Sequence, residues 1–208
     1  FTHFARADEP EIETTDVQEA RFLDVLNKLK KIGVRPTYIH AANSAATLTH
    51  PSAHFDMVRL GIAMYGLHPS PKCQLYENFK PALSWKAVIA QVKRLPPGRG
   101  VSYGHVYTTQ RNEIIGTIPL GYADGFRRIE GNHVLVRGQR VPVIGRVCMD
   151  QIMVNLDETP DTREGDEVVI IGIQGNERIT AEEVAQIWGT INYEVVSGIA
   201  SRVPRIYL

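Results

Sequence analysis

Apolar residues between positions 16 and 32 recur every three or four places: Phe22, Leu23, Leu26, Leu29 and Ile32 are separated by Asp, Lys and Arg. That spacing predicts an amphipathic helix over 16–32. Gly33 stops it, and Lys28, Lys30 and Lys31 suit the negative end of its dipole. On either side the pattern shortens. Residues 1–5, 37–44 and 57–61 read as short strands, the second running into a loop. Residues 44–48 predict one or two helical turns, and 61–65 the opening of a short helix. Strand, helix, strand, helix, strand is the repeat of a parallel α/β sheet or barrel.

After Leu67 the texture changes. His68-Pro-Ser-Pro71 is rich in turn formers, and from Leu83 the chain breaks into short apolar runs divided by Gly, Pro, Asn or Asp. The runs 83–95, 112–119, 133–136, 139–143, 151–155 and 167–172 predict a second, mostly antiparallel β domain. Thr180-Ala-Glu-Glu183 is a capping box that opens one helix reaching about Trp188. The expected boundary lies near residue 75, dividing the chain into an α/β domain, 1–75, and a β domain, 76–208.

Composition narrows the function classes. Lys+Arg 23 balances Asp+Glu 23. With no basic block there is no electrostatic case for a nucleic-acid partner or an anionic membrane. No apolar run approaches the roughly 18 residues of a membrane span. Cys73 and Cys148 lie far apart without metal-ligand spacing, so no metal is expected and a reducing, cytoplasmic setting is favoured. Three strands cannot close a barrel of eight. The chain also opens on Phe-Thr-His-Phe-Ala without a methionine. The expectation is that an N-terminal part of the α/β domain is missing from this chain or is supplied by another one.

Several residues are candidates for chemistry. Tyr103 stands in Leu95-Pro-Pro-Gly-Arg-Gly-Val-Ser-Tyr-Gly-His-Val-Tyr107, next to glycine and without bulky neighbours. A phenol so placed is an acid/base candidate if its pKa falls from about 10; the plainer reading is a β-hairpin corner with a packing tyrosine. His3 ends the first strand, as a ligand or as a packed core histidine. In His40-Ala-Ala-Asn-Ser44, Asn43 and Ser44 suit the neck of a phosphate site and equally an N-cap. Arg59, in an apolar strand pattern, needs an acid or a polar ligand. Gly61 and Ile62 follow it with backbone N–H groups that can hold phosphate. Tyr122 and Asp124 between glycines, and Met149 and Asp150 at a strand end, are turn residues or a pocket lining.

Six stretches in order carry a resemblance: Tyr38-Ile-His-Ala-Ala-Asn-Ser44, Arg59-Leu-Gly-Ile-Ala-Met-Tyr-Gly66, Val101-Ser-Tyr-Gly104, Ile118-Pro-Leu-Gly-Tyr-Ala-Asp-Gly125, Gly145-Arg-Val-Cys-Met-Asp150 and Asn192-Tyr-Glu194. The chain resembles the bacterial alanine racemases, pyridoxal-phosphate enzymes of fold type III. The resemblance implies the C-terminal part of a (β/α)8 TIM-type barrel followed by the β domain. It implies interconversion of L- and D-alanine for peptidoglycan synthesis by two-base proton transfer, with pyridoxal 5'-phosphate as cofactor. Tyr103 matches the base that takes the α-proton of L-alanine. Arg59 matches the arginine on the pyridine nitrogen, and His3 the histidine between the two. Asn43 falls in the cofactor-binding stretch. Ser44, Gly61, Ile62 and Tyr193 match phosphate binders, and Met149, Tyr122 and Asp150 the substrate pocket. Asp8, Arg128 and Arg146 match the polar entrance. The implied assembly is a homodimer with shared active sites.

One departure is decisive. The family's second base is the lysine that anchors the cofactor, in a Lys-Ala-Asn-Ala-Tyr-Gly-His motif, and none of the seven lysines here has that context. This chain alone is therefore expected to be inactive. A serine or broader racemase of the same family, and a non-catalytic binding or assembly module, are the competing readings.

Overall fold

The computed structural model describes residues 1–11 and 13–208. The chain forms two units, Phe1–Ala82 and Leu83–Leu208, so the break falls beyond the position near 75 expected from composition. Among the described residues no helix is long and apolar enough to cross a membrane.

The first unit is built around α1 (Glu13–Lys31). It starts earlier than periodicity alone suggested, because Glu13 and Asp16 place negative charge in the first turn, where the dipole favours it. Gly33, at φ +76°, closes the other end. Phe22, Leu26 and Leu29 are half-buried, whereas Leu23 and Ile32 are exposed, so the apolar stripe is narrower than its spacing implied. Phe22 meets Phe55 edge to face at 5.6 Å.

The three expected strands of this unit are not regular strands. They run as extended segments tied by single backbone bonds: Thr2 N to His40 O at 3.4 Å, Arg59 N to Ala42 O at 2.9 Å, and Asp56 N to Ile39 O at 3.0 Å. A ladder needs repeated bonds along both partners, and these segments exchange only isolated ones. Small residues let them approach closely; Ala41, Ala42, Ala45, Ala46 and Ala53 share a core with Phe4, Ala7 and Cys73. Helix α2 (Ser44–Thr49) follows, then tight turns at Pro51–Ala53 and Ile62–Tyr65. Gly66 ends the last turn at φ +72°, and a Cβ there would sit 1.9 Å from the Lys80 carbonyl oxygen.

The second unit contains β1 (Trp85–Val88), β2 (Gln91–Leu95), β3 (Gly100–Val101), β4 (Tyr107–Thr108), β5 (Glu113–Ile118), β6 (His133–Val136), β7 (Gln139–Ile144), β8 (Ile152–Asn155), β9 (Glu167–Gln174) and β10 (Glu177–Ile179). Helices α3 (Ala181–Trp188) and α4 (Asn192–Ser197) complete it. Every pairing is antiparallel, in the order β1-β9-β6-β7-β8-β5-β2, with β10 beside β9. The run 83–95, expected as one strand, divides at Ile89–Ala90. Its first half pairs with β9 and its second with β5, so one stretch of chain supplies both ends of the ladder and closes it. Ile118, Leu135, Ile152, Leu156 and Ile170 fill the interior, and each stabilises the fold by about 1.5–3 kcal/mol through burial. Phe126 stands edge-on between Trp85 and Trp188, at 6.3 and 5.8 Å. Thr180 caps α3, accepting from Glu183 N at 3.1 Å, but the Glu183 carboxylate turns to His133 and Arg140 instead of closing the capping box. The hairpin β3–β4 pairs Gly100 with Thr108 and Val101 with Tyr107, and its tip carries Tyr103.

Candidate active site

In the first unit the chemistry gathers on Arg59. Its guanidinium donates to the Thr2 and Ala41 carbonyls, both at 3.0 Å, and meets His40 Nδ1 at 2.8 Å and His3 Nδ1 at 3.2 Å. Among the described residues its side-chain partners are carbonyls and imidazoles, and no carboxylate forms an ion pair with it. The Phe1 ring lies 5.4 Å from the guanidinium carbon and stacks on His40. His3, matched to this arginine by resemblance, does touch it. His40 was not singled out from sequence, although it stands on the same segment as Ser44. Its pKa is held below the ordinary imidazole range, first by burial and then by the Arg59 cation. A neutral His40 accepts from Arg59 and fixes the plane of the fork.

Ser44 is buried, and its Oγ accepts from Gly61 N at 2.8 Å and Ala63 N at 3.4 Å. Among the described residues its own proton meets no acceptor. The Gly61 N–H, expected to face a phosphate, is directed at Ser44, while Ile62 is buried at the start of the following turn. Asn43 caps α2: its Oδ1 accepts from Ala46 N at 3.0 Å and its amide reaches the Phe4 carbonyl at 3.4 Å. Of the two readings open from sequence, its side chain takes the N-cap. A guanidinium and a hydroxyl are donors of the kind that a pyridine nitrogen and a phosphate accept from. Asp8 is tied to a different feature, accepting from Ser70 Oγ through its carbonyl at 3.1 Å. Burial, aided by Asp8, pushes the Cys73 thiol up.

In the second unit two loops are zipped together. Tyr122 N donates to Cys148 O at 3.0 Å and Ala123 N to Met149 O at 2.8 Å. Gly121 makes this possible, since a Cβ there would lie 2.4 Å from both carbonyl oxygens. Burial pushes the Asp124 carboxyl up, but Arg202 at 2.7 Å and the Gly121 N–H at 2.8 Å outweigh it and hold it below the usual range. Asp124 thereby braces the loop that presents Tyr122. Tyr122, Met149 and Asp150 are exposed, as are Arg128 and Arg146. The Arg146 guanidinium lies against Gly104, 3.1 Å from where a Cβ would stand, and Arg128 is exposed in the segment after Phe126. Tyr193 is on α4, its carbonyl accepting from Ser197 Oγ at 2.6 Å.

Tyr103 is 70% exposed, which excludes the reading of a packing tyrosine. Its backbone neighbours are unusual. Ser102 has φ +63° and ψ −174°, a region open essentially to glycine alone and costing on the order of 1–3 kcal/mol. Gly104 is at φ +72° and His105 at φ +46°. Ser102 Oγ donates to the Arg146 carbonyl at 2.6 Å. At the foot of the hairpin, Glu113 accepts from Tyr107 OH at 2.6 Å, Gln110 N at 2.8 Å and Asn155 Nδ2 at 3.2 Å. Neither Ser102 nor Glu113 announces itself in sequence, beyond Glu113 being the one charge in an otherwise apolar strand.

All seven lysines are exposed. Lys28 pairs with Asp24 and Lys86 with Glu167 on the surface.

The whole pattern has close counterparts among known proteins. Residues 1–69 match the family model for the alanine racemase N-terminal domain, and residues 82–207 that for the C-terminal domain. Alanine racemases of Symbiobacterium thermophilum and Carboxydothermus hydrogenoformans are 51% and 50% identical over all of this chain, which covers 55% and 57% of their lengths. The crystal structure of the Bacillus anthracis alanine racemase with bound L-Ala-P superposes with a TM-score of 0.95 at 48% identity, over 99% of this chain and 54% of that one. The Clostridium difficile alanine racemase in complex with cycloserine gives 0.93 at 44%, over 100% and 55%. The chain spans about half the length of the curated relatives it matches. From its two matched domains and its end-to-end identity, the chain belongs to the alanine racemase family.

Proposed function

We propose that the intact protein is a pyridoxal-phosphate-dependent alanine racemase, and that this chain carries the face of the site bearing Tyr103 together with the cofactor-holding groups around Arg59. The observation that carries the reading is the guanidinium of Arg59, fixed by two carbonyls and two imidazoles rather than neutralised by an acid. A guanidinium remains protonated at any working pH, so it donates to a ring nitrogen without giving up its proton. The bound cofactor would supply the electron sink that acidifies the α-C–H bond of the amino acid. Ser44 would donate its free proton to the phosphate, helped by the N–H of Ile62. Tyr103 would take the α-proton on the L face and return it there. The base for the opposite face is the cofactor-anchoring lysine, expected in the part of the family's length that this chain does not span.

The reading includes a (β/α)8 barrel, in which the extended segments and helices of the first unit would take the last positions. It also includes a homodimer in which the β unit of one copy delivers Tyr103 to the Arg59 site of the other; a rigid interface of that kind would hold the proton acceptor within about 3 Å of its target. Alanine as substrate draws support from the L-Ala-P bound in the Bacillus anthracis relative.

The test uses full-length protein loaded with cofactor. Conversion of L- to D-alanine is expected, with serine turned over far more slowly. A Tyr103→Phe subunit mixed with one lacking the anchoring lysine should regain activity toward half of wild type per mixed dimer. Absence of any alanine racemisation sinks the enzyme reading; absence of recovery after verified exchange sinks the shared site.

A further inference from the structure

We infer that Ser102 is a positioning residue that sets the aim of Tyr103, through a backbone conformation held open by its own hydroxyl. The inference rests on the reading of Tyr103 as the base for the L face.

A serine at φ +63° and ψ −174° is out of place, since glycine alone adopts that region freely. Such a conformation persists only where surrounding contacts over-determine it, and here they do. Ser102 Oγ donates to the Arg146 carbonyl at 2.6 Å and lies 3.4 Å from Cys148 Sγ. Gly145 gives the serine room: a Cβ there would stand 2.9 Å from both Ser102 Cβ and the Val101 carbonyl oxygen. The anchor is itself fixed. Val147 is buried, Cys148 N donates to Gln151 O at 2.9 Å, and Cys148 O receives Tyr122 N at 3.0 Å. The bond from Ser102 therefore ties the base of Tyr103 to the same loop that presents Met149 and supports Tyr122. Beyond the tyrosine the tip folds back, with the His105 ring packed where a Gly100 Cβ would be, 2.3 Å from its Cγ. A glycine at 102 would relax the backbone but lose the tether. An alanine would keep the strained shape with nothing to hold it.

The experiment compares Ser102→Ala, Ser102→Gly and Tyr103→Phe in the full-length holoenzyme. Misplacement by a fraction of an ångström to an ångström costs about 10- to 100-fold in rate. Both serine variants are expected to lose kcat in that range, with KM within about twofold of wild type and cofactor absorbance retained. Because the enantiomers are equal in free energy, kcat/KM must fall equally in both directions, so direction is read from isotope effects. With α-deuterated L-alanine the primary effect should rise, since removal of that proton by Tyr103 becomes more limiting. With α-deuterated D-alanine it should fall. A merely structural role would leave the two effects changing together. If Ser102→Ala does not fold, Ser102→Gly carries the test, because its backbone is unstrained at this position. Near-wild-type kcat in a folded Ser102 variant, or parallel isotope effects, overturns the inference while Tyr103→Phe remains inactive. Full turnover by Tyr103→Phe would instead remove the reading of Tyr103 as the base, and the role of Ser102 with it.

Discussion

Tyr107 donates a 2.6 Å hydrogen bond to Glu113, and the carboxylate that receives it is 4% exposed. The pair locks the foot of the hairpin whose tip bears Tyr103. Hydrogen bonding from Tyr107 and backbone N–H groups holds the Glu113 carboxyl below its usual range against the opposing effect of burial. Burial first, and then the Glu113 acceptor, push the Tyr107 phenol up.

Replacing this carboxylate should be costly. Glu113→Ala strands the Tyr107 hydroxyl and the Asn155 amide, and we expect a loss of about 2 kcal/mol, read from the denaturant midpoint of the full-length protein. A lowered folded pKa means that the contribution is complete above the ordinary carboxylate value, about 4.3, and is lost as pH falls through the folded value. Stability measured from pH 5 downward should therefore fall less steeply in Glu113→Gln than in wild type. Identical slopes would show that folding does not lower the pKa of Glu113.

His40 gives a second pH window with its own sign. Its folded pKa is depressed by burial and by Arg59, so the unfolded chain binds the proton more readily. Its contribution is complete above the ordinary imidazole value, about 6.5, and disappears as pH falls through the folded value. An NMR titration of His40 should show a midpoint below that of an exposed histidine. Arg59→Met, which removes the neighbouring cation, should move the midpoint upward; an unmoved midpoint would show that Arg59 is not a cause of the shift.

Arg59→Lys should not behave as a conservative change. One ammonium cannot reach the Thr2 and Ala41 carbonyls and His40 Nδ1 together, as the planar fork does. Each charged hydrogen bond lost costs about 1.5–3 kcal/mol. We expect a lower thermal midpoint and weaker cofactor retention, measured on dialysed full-length protein. Wild-type values for both would show the fork to be dispensable.

Gly121→Ala tests the zipped loops. The backbone at 121 is extended, so the obstacle is space: the new Cβ meets the Cys148 and Met149 carbonyl oxygens at 2.4 Å. Neither oxygen can give way without breaking its bond to Ala123 N or Tyr122 N. Overpacking of this kind costs about 1–3 kcal/mol, and turnover should fall along with the thermal midpoint. An unchanged midpoint would mean that the loops separate freely.

The parts of the fold that depend on neighbours in sequence were readable from residues. Helix α1 follows from Phe22, Leu26 and Leu29, and α3 from Thr180 and Glu183. The β unit follows from short apolar runs between turn formers. What depends on distant partners was not readable. Nothing local in Lys86-Ala-Val-Ile-Ala-Gln91 says that pairing changes sides at Ile89–Ala90, because β9 decides it. The extended segments of the first unit look like strands in sequence, yet they make isolated bonds. Within the site, the glycines around Tyr103 marked the loop, but a serine in a glycine conformation looks like any serine. His40 and Glu113 were missed for the same reason: their meaning lies in Arg59 and Tyr107, and only folding brings those pairs together.

The run that closes the β unit also sets an order of events. β2 finds its partner β5 a short way down the chain, whereas β1 must wait for β9, most of the unit's length later. Pairings of such wide separation are slow to form. An N-terminal stretch committed at one end and vacant at the other would persist until the last long strand arrives. We expect closure of this ladder to come late in assembly, and truncation before β9 to leave β1 as an open edge ready to pair with another molecule.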